Sequence, residues 1–138
     1  MASTPSVING VKIEFGPGVV NSLEDDLLVA LNAVINDSIV AGATLCTLYF
    51  SSVHDQHNWP SRHVQGHGKA VDISRINHKK IGLFYTKDKT VKQIVDALQI
   101  KFDVCKGARE NFVPLFKHKH GKDFLVPGHQ DHVHFSVD

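Results

Sequence analysis

Residues 131–137 read DHVHFSV, and the alternation of polar and apolar side chains from His132 onward decides the fold that we predict. In an extended strand, successive side chains point to opposite faces, so His132 and His134 share one face while Val133 and Phe135 share the other. We therefore predict a strand over 131–137 whose apolar face packs into the core. Its other face presents two imidazoles to a common site.

Five further segments complete the predicted architecture around this strand. Alternation over 11–15, the β-forming run over 43–52 and the apolar positions of 69–74 each predict a strand. Apolar residues at three- and four-residue spacing predict amphipathic helices over 21–36 and 90–104. The expected fold class is α+β, with a small antiparallel sheet and packed helices.

Both predicted helices carry N-terminal signals in the sequence. Asn21 or Ser22 is the expected N-cap of the first helix, because short polar side chains accept hydrogen bonds from the N–H groups of the first turn. At the second helix, residues 90–93 read TVKQ, which resembles a capping box that begins at Thr90.

Composition bounds the class of protein and its partners. The chain has 138 residues, of which 42% are hydrophobic and 21% charged, values that are typical of a single globular domain over residues 1–138. The formal net charge of +1 provides no field of one sign, so neither nucleic acid nor a membrane is an expected partner. A basic cluster at 117–122 is predicted to be a solvated loop. No signal peptide or transmembrane run is recognised, and we expect a protein that is cytoplasmic as synthesised.

Two cysteines and three phenylalanines are expected to be buried. Cys46 and Cys105 lie in apolar surroundings without a C-x-x-C pattern, which favours free buried thiols over a disulfide or a metal site. Phe112, Phe116 and Phe124 are expected to pack in the core rather than to contact a substrate.

Histidines are the most informative residues outside the final strand, because the chain contains ten of them. Residues 61–73 read SRHVQGHGKAVDI, in which His63 and Asp72 flank the turn-forming Gly66 and Gly68. A hairpin at these glycines would bring an imidazole and a carboxylate close to the imidazoles of the final strand. A catalytic zinc takes three such protein ligands and leaves a fourth position for water, so we predict a Zn²⁺ site.

These two stretches resemble the motifs of a group of zinc peptidases. Residues 61–73 are similar to the S-x-H-x-x-G-x-A-x-D motif of zinc D-Ala-D-Ala carboxypeptidases and phage L-alanyl-D-glutamate endopeptidases. Residues 129–134, HQDHVH, look like the H-x-D-H-x-H end of penicillin-insensitive murein endopeptidases, and the Hedgehog signalling domain resembles these in its metal site and closing strand. The resemblance implies a Hedgehog/DD-peptidase-like fold in which His63, Asp72 and His134 bind the zinc.

The first motif departs from the family pattern in its spacing. Eight residues separate His63 from Asp72, whereas the family places six between these two ligands. A two-residue insertion in the turn restores the match and keeps His63 as the ligand, which leaves His67 at the rim as a substrate-binding candidate. The alternative is that His67, with four residues between it and Asp72, binds the zinc.

The resemblance also implies catalytic roles. The carboxypeptidases use a glutamate three residues before the last zinc-binding histidine, and Asp131 holds that place. We predict Asp131 as general base and His132 as transition-state stabiliser, with His129 or His132 as the alternative base. Because alternation turns Asp131 away from His134, this assignment requires the strand to begin near His132. The strand before the motif lacks the arginine with which the family holds the oxyanion, and Arg62 or His54 is the expected substitute. Arg62 and His129 are further substrate-binding candidates.

The resemblance of the two motifs to this family implies a zinc-dependent peptidase that hydrolyses peptide bonds in stem peptides or cross-links of bacterial peptidoglycan. The absence of a recognised signal peptide and wall-binding domain favours a phage lysin or a virion lytic module, which acts on the cell wall after release beside other virion or lysis proteins. The alternative is a non-catalytic, zinc-stabilised binding module of the same fold. A metal-dependent nuclease is disfavoured because the chain has no basic stripe.

Overall fold

The computed structural model describes residues 2–19, 22–53, 68–128 and 130–138, and these ranges contain eleven strands and three helices. The strands are β1 (Ala2–Ser3), β2 (Val7–Ile8), β3 (Val11–Phe15), β4 (Ser22–Leu23), β5 (Thr47–Ser52), β6 (Ala70–Ile76), β7 (Lys79–Lys80), β8 (Ala108–Phe112), β9 (Lys117–Lys119), β10 (Lys122–Asp123) and β11 (Val133–Val137). The helices are α1 (Asp25–Val34), α2 (Ile81–Phe84) and α3 (Lys89–Asp103).

One large sheet dominates the described part of the chain. Its strands lie in the order β10-β9-β8-β11-β6-β5-β3-β2, and β7 pairs with β6 beside this row. Within the described ranges every pairing in this sheet is antiparallel except that of β3 with β5. The structure is therefore mixed α/β with a mostly antiparallel sheet, as an α+β fold requires. The sheet has nine strands and is not the small sheet that we predicted.

The parallel pair was not predicted, and it has a topological cause. Parallel neighbours need a crossover between the end of one strand and the start of the next. Here α1 stands between β3 and β5 in the chain and packs Leu27, Leu31 and Val34 into the core. The crossover returns the chain to the sheet at β5, beside the strand that carries Asp72.

The two longer helices cover one face of the sheet and form its hydrophobic core. Phe102 of α3 stacks on Phe135 of β11, with ring centroids 4.2 Å apart. Val133 and Val137 of β11 are buried in the same cluster. The predicted apolar face of β11 therefore faces the core, and His134 points to the opposite face.

Most predicted elements are confirmed with small shifts at their ends. β3 covers the predicted range, and α3 lies one residue earlier than predicted at both ends. β6 begins one residue later and ends two residues later than predicted, and β11 begins two residues later. β5 begins at Thr47 rather than at residue 43, because its pairing with β3 starts there.

The predicted start of the first helix is wrong. α1 begins at Asp25 rather than near residue 21, because Ser22 belongs to β4 and pairs with β1 in a separate two-stranded sheet. The N-cap is Glu24, whose side chain makes no capping hydrogen bond, so Ser22 is not the cap. Asn21, the other candidate cap, lies outside the described residues.

The capping box predicted for the second helix does not form either. The N-cap of α3 is Asp88, whose carboxylate accepts hydrogen bonds from the backbone N–H groups of Thr90 and Val91. This carboxylate reaches the first turn from one residue before the helix, so Thr90 lies inside α3. At 15 residues α3 is the longest described helix, and no helix in the described ranges is both long and apolar enough to cross a membrane.

Burial was predicted less well than secondary structure. Cys46 is exposed and Cys105 is half-buried, although both are free cysteines as expected. Phe112 is buried inside the sheet on β8, whereas Phe116 and Phe124 are 48% and 37% exposed. Phe116 and Phe124 flank the hairpin of β9 and β10 at the edge of the sheet, and the Phe124 ring stacks on Phe112 with centroids 6.1 Å apart. The prediction of a solvated loop over 117–122 is therefore wrong, because β9 and β10 pair as a hairpin there.

Candidate metal and catalytic site

Three adjacent strands place the candidate site on the face of the sheet opposite α1 and α3. β11 lies between β6 and β8, and His134 is the cross-strand partner of both Asp72 and Phe112. Opposed residues of an antiparallel pair point to the same face, so Asp72 and His134 meet although 62 positions separate them in the chain. Asp72 Oδ1 lies 2.7 Å from His134 Nδ1. The structure thus brings together two of the three predicted zinc ligands.

A further carboxylate at the site, that of Glu110 on β8, was not predicted from the sequence. Its Oε1 lies 3.1 Å from His134 Nε2 and accepts a hydrogen bond of 2.9 Å from the Ser136 hydroxyl. The Arg109 guanidinium lies 3.1 Å from the same oxygen. Both ring nitrogens of His134 therefore face a carboxylate, and the His134 side chain is only 9% exposed.

Glu110 was missed because no motif marks it. Residues 108–112 were not predicted as a strand, and the pairing of β8 with β11 shifts register close to Ser136. At this irregularity the backbone N–H of Glu110 donates to Ser136 Oγ over 3.0 Å. Residues 108–112 read ARENF, with three consecutive polar residues, so no alternation of polar and apolar side chains indicates this strand.

His132 and Asp131 precede β11 and extend the cluster toward solvent. Because β11 begins at Val133, strand alternation does not fix the direction of Asp131. Asp131 Oδ1 lies 2.6 Å from His132 Nδ1, and His132 Nε2 lies 3.7 Å from Asp72 Oδ1. A Cβ at Gly82 of α2 would come within 2.8 Å of Asp131 Cβ, so glycine permits this close packing. Acids and imidazoles therefore alternate from exposed Asp131 to the buried interior of the site.

The pKa values in this cluster show that it favours positive charge. Burial disfavours the charged form of His134, yet hydrogen bonds to two carboxylates raise its pKa to about 9. Burial also opposes ionisation of Glu110, but its hydrogen bond and charge interaction with His134 help to lower its pKa to about 2. The hydrogen bond with His132 lowers the pKa of Asp131. A centre with several ionised carboxylates is stabilised by a cation, either a proton on His134 or a metal ion.

His134 Nδ1 and Asp72 Oδ1 are donor atoms of the kinds that bind zinc in proteins. In a neutral His134 whose Nε2–H donates to Glu110, Nδ1 carries a lone pair that faces Asp72 Oδ1. Two such electron-rich atoms attract each other only through a cation that lies between them. Tetrahedral zinc ligands lie about 3.3 Å apart, whereas these two atoms lie 2.7 Å apart, so they would have to separate to hold the ion. Within the described residues no group of three or more His, Cys, Asp or Glu side chains has metal-binding geometry. The candidates for the third ligand, His63 and His67, lie outside those residues.

The described end of the first motif leads directly into the site. The carbonyl of Gly68 accepts a hydrogen bond of 3.1 Å from the backbone N–H of Glu24, and β6 with Asp72 begins two residues later. The predictions for the remaining site residues, including the choice of third zinc ligand, stay predictions. The residues concerned, all outside the described ranges, are His54, Arg62, His63, His67 and His129.

Comparison with known proteins yields no relative for this chain. No protein-family model, no curated protein and no solved structure matches it. A functional proposal therefore rests on the side chains that the strands bring together, above all Asp72, His134, Glu110 and His132.

Proposed function

We propose that this protein is a zinc-dependent peptidase that hydrolyses peptide bonds in the stem peptides or cross-links of bacterial peptidoglycan. The observation that carries the proposal is the pairing of Asp72 with His134 across β6 and β11, on the face opposite the helices. At these two positions the sequence resembles the zinc-binding motifs of peptidoglycan carboxypeptidases and endopeptidases. A Hedgehog/DD-peptidase-like arrangement of the fold is part of the proposal, and the mostly antiparallel sheet supports it.

Asp72, His134 and His63 would hold the zinc, with His67 as the alternative to His63. Bound zinc supplies Lewis-acid chemistry, since it polarises a carbonyl and lowers the pKa of water. Glu110 is a positioning residue, because its carboxylate accepts Nε2–H of His134 and so fixes the tautomer and the direction of the ring. Nδ1 is thereby kept toward Asp72, where the metal would bind.

Asp131 and His132 are placed to move a proton at the edge of this centre. Asp131 accepts a hydrogen bond of 2.6 Å from Nδ1–H of His132, which leaves Nε2, the atom nearer to Asp72, to take up a proton. This geometry favours His132 as general base, with Asp131 as its positioning partner, over direct proton transfer to the exposed Asp131. The protonated imidazole can then donate to the amine that leaves.

The cellular setting that we propose is lysis of a bacterial cell wall by a phage lysin or a virion lytic module. The protein would be cytoplasmic as synthesised and would reach peptidoglycan after release or as part of a virion, beside other lysis or virion proteins. The two resemblance motifs in the sequence support this setting.

Hydrolysis of purified peptidoglycan tests the proposed activity. We expect zinc-loaded protein to release new amino and carboxyl termini from sacculi, and a chelator to stop the reaction. Asp72→Asn should lose both zinc and turnover, whereas Asp123→Asn, a matched change at a fully exposed aspartate on β10, should keep both. Absence of turnover with stoichiometric zinc would contradict the peptidase. It would favour the alternative, a non-catalytic, zinc-stabilised binding module.

A further inference from the structure

A groove of about 460 Å³ lies beside the candidate site. Asp131 belongs both to this groove and to the site, because its carboxylate also contacts His132. The groove therefore adjoins the candidate site at its exposed end, where Asp131 lies. Its lining residues come from β6, β7, α2 and the turn before β11, and they are Ser74, Arg75, Lys80, Gly82, Leu83 and Asp131.

An irregularity in β6 explains why an arginine enters this groove. The pairing of β5 with β6 shifts register between Tyr49 and Phe50, so Ser74 is an extra residue between the paired Ile73 and Arg75. An extra residue of this kind bends a strand and redirects the neighbouring side chains, and it is frequent beside active sites. Here Ser74 and Arg75, although consecutive, both line the groove.

Arg75 and Lys80 place two positive charges side by side in the groove. They are directly opposed across β6 and β7, a position in which like charges repel each other. Among the ion pairs of the described residues, none joins either side chain to a carboxylate. The guanidinium carbon of Arg75 lies 4.5 Å from the centroid of the Tyr49 ring, which orients the guanidinium plane without using its N–H donors. A bound anion would relieve the repulsion and engage these donors.

We propose that Arg75 and Lys80 form a subsite that binds a free carboxylate of the peptide substrate, an inference that rests on the proposed peptidase function. Arg75 binds a carboxylate through parallel N–H donors, and Lys80 adds a point charge. Arg75 follows Asp72 by three residues, about 10 Å along the strand, so the subsite lies near the candidate centre but outside it. The charge of Asp131 repels an anion from the end nearest the centre, which restricts the carboxylate to the Arg75 end.

This subsite would select between chemical forms of the same stem peptide. A γ-linked glutamate leaves its α-carboxylate free, and amidation of that group removes the charge with almost no change in size. The amide no longer matches the two cations, so the amidated peptide loses the charge-assisted hydrogen bonds of the subsite. The protein should therefore discriminate against amidated stem peptides.

The test compares two stem peptides that differ only in amidation of this α-carboxylate. We expect zinc-loaded protein to prefer the free carboxylate by about tenfold or more in kcat/KM, the effect expected for hydrogen bonds between charged groups. Arg75→Gln and Lys80→Gln should each bring this ratio closer to unity. Lys101→Gln removes an exposed positive charge from α3 and should leave both rates unchanged. Equal rates on the two peptides would overturn the subsite and leave the peptidase function intact.

Binding in the absence of zinc separates failure of the subsite from failure of the proposed function. With the full chain in chelator, the free-carboxylate peptide should shift the backbone amide resonances of Ser74, Arg75 and Lys80, and the Arg75→Gln variant should not respond. These shifts without any hydrolysis by the zinc-loaded protein would support the subsite and contradict the peptidase. No shift with either peptide would overturn the subsite. An equal response to inorganic phosphate would indicate a general anion site and overturn selection of a peptide.

Discussion

Two clusters of imidazoles and carboxylates in this molecule share one pattern of contacts. At the candidate site, both ring nitrogens of His134 face carboxylate oxygens, at 2.7 and 3.1 Å. At the edge hairpin, the ring nitrogens of His118 face Asp103 and Asp123, at 2.8 and 3.5 Å. Each imidazole thus stands between two acids, and contacts alone do not distinguish the clusters.

Burial distinguishes them. The His134 side chain is 9% exposed and its two carboxylate partners are 15% and 19% exposed, whereas His118 and Asp103 are each 23% exposed and Asp123 is fully exposed. At the hairpin, water screens the charge of Asp123, so its ion pair with His118 contributes little. At the site, low polarisability strengthens each interaction and makes an uncompensated charge costly. A pattern of imidazole and carboxylate contacts thus becomes a candidate metal centre only when the sheet buries it.

The largest expected effect is loss of zinc when a ligand of the buried cluster is removed. His134→Ala removes the Nδ1 donor that faces Asp72, so we expect the purified protein to lose its stoichiometric zinc. His118→Ala, the matched change in the exposed cluster, should keep it. Elemental analysis after dialysis measures both variants. Full zinc in His134→Ala would show that the ion binds elsewhere and would remove the distinction between the clusters.

The same measurement decides the third ligand. His63→Ala is expected to lose stoichiometric zinc, because two ligands do not hold the ion tightly, whereas His67→Ala is expected to retain it. The reverse result would make His67 the third ligand, with four residues between it and Asp72. Retention of zinc in both single variants would mean that neither histidine is essential, and the double variant would then be measured.

A smaller effect is expected at the exposed end of the buried cluster. His132→Ala should lower peptidoglycan turnover by about 10²–10⁴-fold with zinc still bound, since it removes the proposed general base. Asp131→Asn should lower turnover by a smaller factor, because the imidazole of His132 remains. His120→Ala, at a histidine that pairs with Asp138 near the hairpin, should leave turnover unchanged. A larger loss in Asp131→Asn than in His132→Ala would instead favour Asp131 as the base.

Loss of the carboxylate behind His134 should weaken zinc binding without abolishing it. Glu110→Gln keeps the size of the side chain but removes the charge that accepts Nε2–H, and such changes typically cost about 10–100-fold in metal affinity. Asp103→Asn is the counterpart beside His118 and should leave the affinity unchanged. Competition with a chromophoric chelator measures both. Unaltered affinity in Glu110→Gln would mean that this carboxylate does not position the ligand.

Part of this site was predictable because its histidines stand in a local pattern. Alternation over 131–137 predicts that Val133 and Phe135 face the core, and both are buried. The same alternation directs His134 to the other face. The approach of Asp72 to His134 was expected from the resemblance to peptidase motifs and from a hairpin in the first stretch, not from periodicity.

The rest of the site depends on pairing between distant strands, which no local pattern encodes. Glu110 reaches His134 because β8 pairs with β11, with Phe112 opposite His134. Arg75 enters the groove because Ser74 is an extra residue opposite β5. Register is selected by contacts between segments far apart in the chain, so a sequence pattern predicts strands more readily than it predicts their neighbours.

The smallest expected effect concerns stability and compares the two clusters most directly. In metal-free protein, His118→Gln should lower the free energy of unfolding by about 1 kcal/mol or less, because one of its two partners, Asp123, is fully exposed and screened by water. His134→Gln should lower it by about 3 kcal/mol, because two carboxylates near the core lose their shared cation. Urea unfolding in chelator measures both. The substitution and the contact pattern are the same in each cluster, so equal losses would mean that burial is not what separates them.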